Sequence, residues 1–328
     1  MEEEQKKKRR FKLFDSQREG KGVTKEEANL PPNLKKFFIL YKRDFSRLLS
    51  VNILMVLGNF PLLFLIIALS GVFSFDFVTP GKDMFSVFQG LISQEGFSAP
   101  LLALNGILGV QAPAANFQPW AYVFMGLSLL VLFTWGIVNA GTAYILRNMV
   151  KGEPVFLMSD FWYAVKRNIK QALPFGILDL VLIALVPVNV FILSQGDGFL
   201  NGMLFWANIF IGLIYMIMRF YIYIQMVTFD LSIRKILKNS LIFAIVGFKR
   251  NIMAIIGIVI LLFLLLVLAY SGVFLGLAII LPLVFLFSNC SYMTTYAAYF
   301  KIKELMIDPY QDEDKENEED TDEPIAEE

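Results

Sequence analysis

Histidine is absent from this chain of 328 residues, and cysteine occurs once, at Cys290. The first absence excludes histidine-ligated metals, histidine haem ligation, histidine general bases and histidine proton relays. A single thiol excludes an intramolecular disulfide framework. Cys290 lies inside an apolar run with no histidine to activate it, so it reads as a buried structural thiol. Charge is scarce as well. Asp, Glu, Lys and Arg make up 18% of residues and hydrophobic types 56%, whereas a soluble domain carries about 25% charged residues. That charge is also unevenly placed. Residues 1–50 hold 14 of the 29 Lys and Arg, and residues 301–328 hold 13 of the 29 Asp and Glu. The net charge of zero is therefore an average over a basic head and an acidic tail. The stretch between them is close to lipid in character, and mean hydropathy is +0.59 over the whole chain. An ordinary soluble domain is excluded, and a multi-span membrane protein is expected. No apolar core beside a small-residue cleavage site occurs in the first 50 residues, so no signal peptide is expected.

Six apolar runs approach the length of about 20 residues needed to span a bilayer. They lie near Val51–Ser70, Trp120–Tyr144, Ala172–Leu193, Phe199–Val227, Ile252–Ala269 and Gly272–Phe300. The fold class is thus all-α, a polytopic membrane protein with six transmembrane helices. Loops then alternate between two sides. Residues 1–50, 145–171, 228–251 and 301–328 carry 27 of the 29 Lys and Arg; the other side has Lys82, and Arg219 lies within the fourth span. The positive-inside rule makes the basic side cytoplasmic, with both termini there, in a plasma membrane.

Three cytoplasmic segments read as amphipathic helices. In residues 33–49, Leu34, Phe37, Phe38, Tyr41, Phe45 and Leu48 form an apolar stripe, flanked by Lys35, Lys36, Lys42, Arg43 and Arg47. Pro31 and Pro32 stop anything upstream, and Asn33 is placed to cap. Beside a membrane span such a helix is expected in the headgroup layer rather than docked on the bundle. The basic run Lys6–Arg10 is expected to be a solvated tail, with contact to anionic lipid headgroups or to the acidic tail as the alternatives. Ser159–Ala172 repeats the pattern with Phe161, Val165, Ile169 and Ala172, and Ser159 as N-cap. Residues 231–244 do so with Ile233, Ile236, Leu237, Leu241 and Ala244. Lys-Arg-Asn-Ile occurs at both 166–169 and 249–252, which would fit a parallel repeat of spans two-three and four-five, or simply the inner-side preference for basic residues. The expected organisation is a basic, disordered tail (1–32), a membrane domain (33–300) and an acidic, disordered tail (301–328). The outer loop 71–119 is rich in Phe, Gly and Ala, with a short surface helix at Asp83–Gln94 and an interfacial segment at Leu101–Val110. Eleven acidic residues in the 17 of 312–328 preclude a packed core there.

Soluble-enzyme motifs fail. Gly20-Lys21-Gly22 lacks phosphate-loop spacing, no metal-ligand cluster is present, and nucleic-acid binding has no support beyond the basic head. Two ionisable residues fall inside spans, Asp179 in the third and Arg219 in the fourth. A charge at the bilayer centre costs about 2.5–3.5 kcal/mol on insertion scales, which makes both functional candidates. Seven and eight residues from the inner ends of their spans, both lie about 10–12 Å deep. They are placed to form an ion pair; alternatively Arg219 snorkels to the headgroups and Asp179 stays neutral. On the fourth span Asn208, Gly212, Tyr215 and Arg219 share a face, and on the sixth Ser288, Tyr292, Thr295 and Tyr299 do so. Asn52 and Asn59 add to these on the first span, Asn139 and Thr142 on the second. Such polar faces would line an inward-open vestibule or hydrogen-bond between helices. Gly272-x-x-x-Gly276 is expected to allow close packing within the hairpin of spans five and six. Span five, with little polar content, should face lipid.

Residues 140–156 (AGTAYILRNMVKGEPVF), then Ser159-Asp-Phe-Trp and Lys166-Arg-Asn-Ile-Lys-Gln-Ala, resemble the YesL family of bacterial membrane proteins, catalogued as domain of unknown function 624. Phe229-Asp-Leu-Ser-Ile-Arg-Lys-Ile-Leu-Lys-Asn-Ser and the lead-in Leu48-Leu-Ser-Val-Asn-Ile-Leu share the resemblance, which covers about residues 34–300. The outer loop 71–119 departs from the compact family pattern. Members tend to be encoded near carbohydrate-uptake transporters and polysaccharide-degrading enzymes of Gram-positive bacteria. The resemblance therefore implies a non-enzymatic accessory or regulator of carbohydrate import, with carbohydrate ABC-transporter subunits as partners. It transfers no catalytic, cofactor or ligand residue. The runner-up is a small-solute transporter using the inner polar faces, and an intramembrane enzyme is a distant third.

Overall fold

A computed structural model describes residues 30–70, 76–78, 112–114, 119–272 and 274–309. The basic run Lys6–Arg10, Gly20-Lys21-Gly22, the segments Asp83–Gln94 and Leu101–Val110, and the acidic tail from 310 lie outside the described residues. The helices are α1 (Leu34–Gly58), α2 (Pro61–Leu69), α3 (Pro119–Ser128), α4 (Val131–Lys151), α5 (Leu157–Ser194), α6 (Phe199–Thr228), α7 (Ile233–Val246), α8 (Phe248–Tyr270), α9 (Leu275–Leu281) and α10 (Phe287–Ile302). Five helical stretches are long and apolar enough to cross a membrane, or six if α1 and α2 together count as one span. The protein is thus a helical, membrane-embedded, multi-pass chain. Among the described residues, strands enter only as a three-residue ribbon, β1 (Asp76–Val78) antiparallel to β2 (Ala112–Ala114), with Phe77 opposite Pro113.

The chain divides into two compact units, Phe60–Val131 and the remainder. The smaller is wider than the loop 71–119 expected from sequence, because it takes in α2, α3 and the ribbon. Within it Phe64 lies against Phe124, with ring centroids 5.8 Å apart.

The larger unit is built from helices that begin as amphipathic segments and run on into spans. α1 opens at Asn33, whose Oδ1 accepts from Lys36 N at 3.0 Å, the expected cap. It continues without a break to Gly58, so the segment 33–49 and the start of span one are one helix. Half of its apolar stripe docks on the bundle. Leu48 is buried, and Phe37 and Tyr41 pack against the cluster around Tyr292, Tyr299 and Phe300, while Leu34, Phe38 and Phe45 remain exposed. A purely interfacial position is thereby corrected. Pro61 takes the first turn of α2, where its missing N–H costs nothing.

α4 ends in a Schellman motif: Gly152 adopts φ 88°, its N–H donates to Met149 O, and Glu153 N–H donates to Asn148 O. α5 then runs for 38 residues. Its cap differs from expectation. Ser159 lies inside the helix, and Asp160 Oδ2 accepts from Phe156 N at 2.8 Å. Phe161, Val165 and Ala172 are buried as expected, but Ile169 faces out. The two Lys-Arg-Asn-Ile copies fall in different settings. The first is in mid-helix in α5, whereas the second opens α8 just after the break at Gly247. There Asn251 Nδ2 donates to the Ala244 carbonyl that ends α7, and Tyr221 Oη donates to Asn251 Oδ1 at 2.6 Å.

Span six departs from a regular helix. Between α9 and α10, Pro282–Leu286 forms a π-helical turn, and the buried Asn52 of α1 plugs it. Asn52 Nδ2 donates to Pro282 O and Leu283 O, and Asn52 Oδ1 accepts from Ser288 N at 2.8 Å. Gly272 turns the hairpin at φ 67°, but a Cβ on Gly276 would meet nothing within 4 Å, so this glycine pair is not a close-packing site. Residues 301–309 are helical rather than part of a disordered tail. Lys301 and Arg250 both pair with Glu304 there.

Candidate functional site: a buried carboxylate shared by three helices

Asp179 projects from α5 and is fully buried. Arg219 on α6 meets it side-on, with Nε donating to Oδ1 at 2.8 Å and Nη2 donating to Oδ2 at 3.1 Å. Of the two possibilities open in the sequence, the ion pair is the one formed. Tyr215 Oη donates to Oδ1 at 2.7 Å and Tyr223 Oη donates to Oδ2 at 2.8 Å. Trp135 Nε1 of α4 adds a fifth donor to Oδ2 at 2.9 Å. The Arg219 guanidinium also lies 5.8 Å from the Trp135 ring centroid, within cation–π range.

The backbone explains the convergence. Tyr215, Arg219 and Tyr223 are spaced by four, which stacks them on one face of α6. α4 and α5 touch backbone to backbone one turn before Asp179. A Cβ on Gly136 would sit 1.9 Å from Ala172 O, and one on Gly176 would sit 2.3 Å from Gly136 Cα. That approach sets the Trp135 indole within reach of the carboxylate.

Asn208, on the same face by sequence, is not part of this site. It sits three turns away, where its Nδ2 donates to Val186 O of α5 at 3.1 Å. Tyr223 and Trp135 escaped the sequence reading. Tyr223 only extends the spacing of four by one more step, and a tryptophan within a span carries no polar signal of its own.

Chemically, the carboxylate is saturated. An ionised Asp offers about four lone-pair sites, and five N–H or O–H donors point at it. The arrangement holds a charge pair across α5 and α6. Other span polar groups are not gathered in this way, and the buried Tyr292 hydroxyl has no hydrogen-bond partner among the described residues. Asn139 Nδ2 donates to Trp135 O and Thr142 Oγ1 donates to Val138 O, and Ser288, Tyr292, Thr295 and Tyr299 are all buried on α10. Cys290 is only half-buried, a correction to the expected buried thiol.

A second buried carboxylate, Asp44 of α1, had no place in the sequence reading. Arg43 and Arg47 of the same helix both pair with it. Arg43 Nη2 also donates to Met149 O at 2.9 Å, at the end of α4. Arg147 of α4 in turn donates from Nη1 to Val227 O at 2.9 Å, at the end of α6. Each guanidinium thus supplies the neighbouring helix with donors for its last carbonyls. Lys42, Lys166, Arg167, Lys170, Arg234, Lys235, Lys238 and Lys249, by contrast, form no ion pair with any described carboxylate.

No group of three or more metal-ligating side chains exists among the described residues. No family model, curated protein or solved structure matches the chain.

Proposed function

We propose that this is a non-enzymatic plasma-membrane protein of a bacterium, an accessory or regulator of carbohydrate import that works through ABC-transporter subunits. Both termini are cytoplasmic in this reading, from the 27 of 29 Lys and Arg assigned to one side. The carrying observation is the saturation of Asp179. The charge pair inside the spans is closed on itself, which favours a scaffold over a solute or proton path. The resemblance of residues 140–172 and 229–240 to the YesL family supplies the carbohydrate assignment. The unpaired Arg234, Lys235 and Lys238 of α7 serve as the docking face in this reading.

The test is affinity purification of the full chain in mild detergent from cells grown on an oligosaccharide. Permease subunits should co-purify, and the protein alone in liposomes should pass no sugar. Sugar flux through liposomes holding only this chain would replace the accessory role with that of a carrier. For the orientation, a Cys at Asp197 in a Cys290-free background should react with an impermeant thiol reagent on intact cells, and one at Lys238 should not. The reverse labelling overturns the assignment of sides.

A further inference from the structure

A cavity of about 300 Å³ opens where α5 meets the link from α6 to α7. Its walls are Arg167, Asn168, Lys170 and Gln171 of α5, Met226 of α6, and Phe229 and Asp230 of the link. Neither Arg167 nor Lys170 has an ion-pair or hydrogen-bond partner, and both side chains are exposed. Asp230 is the one carboxylate on the rim, so the cavity keeps an excess of positive charge. Gln171 Nε2 donates to Leu231 O at 3.1 Å, which ties the link to α5 and holds the cavity open on a fixed frame. Met226 is buried and gives it an apolar floor.

The surroundings specify the kind of anion. Tyr163, Arg167 and Lys170 lie at i, i+4 and i+7 on one exposed stripe of α5, and Trp162 is exposed beside them. Aromatic rings next to basic side chains at the start of a span mark the headgroup layer. Further along α5, Ile177 and Leu178 are exposed on the segment that enters the apolar region. A ligand with a phosphate in the cavity and acyl chains along Ile177 and Leu178 fits both parts at once. The volume is about ten times the 30 Å³ share of one liquid water molecule, room for a phosphoglycerol group.

We infer that the cavity formed by Arg167, Lys170 and the α6–α7 link is a binding site for the phosphate headgroup of an anionic phospholipid. The two cations contact the phosphate oxygens as charge-assisted donors. The inference is independent of the carbohydrate assignment.

The full chain in phosphatidylcholine nanodiscs, with or without phosphatidylglycerol, provides the test. Phosphatidylglycerol should raise the midpoint of thermal unfolding by about 1–2 °C, the shift that roughly 1 kcal/mol of binding produces in a chain of 328 residues. The double variant Arg167→Gln, Lys170→Gln should lose that rise and keep the wild-type midpoint in phosphatidylcholine alone. Lys42→Gln with Lys249→Gln removes the same charge elsewhere and should retain it. Each single cavity variant should lose part of it, which keeps the test valid if the double variant folds poorly. Inorganic phosphate added to phosphatidylcholine discs should have no effect. An equal rise with free phosphate would assign the cavity to a soluble anion and overturn the lipid. Equal loss in both double variants, or no rise in the wild type, would show that no such site exists.

Discussion

Asp179 and Asp44 are both completely shielded from solvent, yet they are held in different ways. Asp179 draws donors from α4 and α6, at 36 to 44 residues' separation. It is a joint between three helices. Asp44 draws its donors from the residue before it and from the residue three after it. Its long-range role is indirect, because it steadies Arg43, and Arg43 reaches the end of α4. Buried charge in this protein therefore does two kinds of work. One carboxylate gathers helices within the spans, and the other orients a cation that satisfies a helix terminus.

The two sites should respond unequally to substitution. The largest effect is expected for Asp179→Asn or Arg219→Gln, each of which strands one member of a buried pair at a cost of about 3–5 kcal/mol. Combining them removes both charges and should recover part of the loss, as read from unfolding in detergent. No such coupling should appear between Asp179 and Arg234. Strict additivity of the Asp179 and Arg219 losses would mean that the pair is not an energetic unit.

Asp44→Asn should cost less, about 1.5–3 kcal/mol, the value of hydrogen bonds to a charged group. Arg43 keeps its carbonyl acceptors, and the Arg43 and Arg47 side chains are 12% and 18% exposed, so neither is stranded without water. A loss equal to that of Asp179→Asn would erase the distinction between the two carboxylates.

Gly136→Ala tests the approach that sets up the Asp179 site. Added volume between α4 and α5 should cost about 1–3 kcal/mol. It should also weaken the coupling of Trp135 to Asp179, measured by combining Gly136→Ala with Trp135→Phe. If Trp135→Phe costs the same with and without the alanine, the glycine crossing does not position the indole.

The smallest change is expected for Tyr215→Phe and Tyr223→Phe, about 1.5 kcal/mol each, the low end for a hydrogen bond to a charged group, since the arginine contacts remain. A loss near that of Arg219→Gln would make the hydroxyls, rather than the guanidinium, the principal partners.

Five of the six span positions, the amphipathic lead-ins and the candidacy of Asp179 and Arg219 were legible in composition and spacing, whereas the bend of 65° between α1 and α2 in the expected first span was not. Asn33 as a cap was legible too, because capping is a contact between residues three apart. Asp44 was not. In an amphipathic helix rich in Lys and Arg, one acidic residue looks like surface, and only the packing of α1 against the other helices buries it. The interfacial reading of 33–49 fell short for the same reason. An apolar stripe states that a surface must be covered, without stating whether lipid or protein covers it.

The division between chain and fold follows from the range of the forces involved. Local sequence by itself determined that the chain enters a membrane, since about 20 apolar residues in a row suffice for that. It also determined where helices are capped or turned, at Asn33, Pro61, Gly152 and Gly272, and which charges would be costly inside the spans. Tertiary structure alone decided that Asp179 would meet Arg219, Tyr215, Tyr223 and Trp135 together, that Asn52 would fill the π-helical turn of span six, and that Arg167 and Lys170 would border a cavity. Each of these depends on two helix backbones approaching within side-chain reach. Where Gly136 and Gly176 allow that approach, it is set by sterics between residues 40 apart, a distance over which no local periodicity carries information.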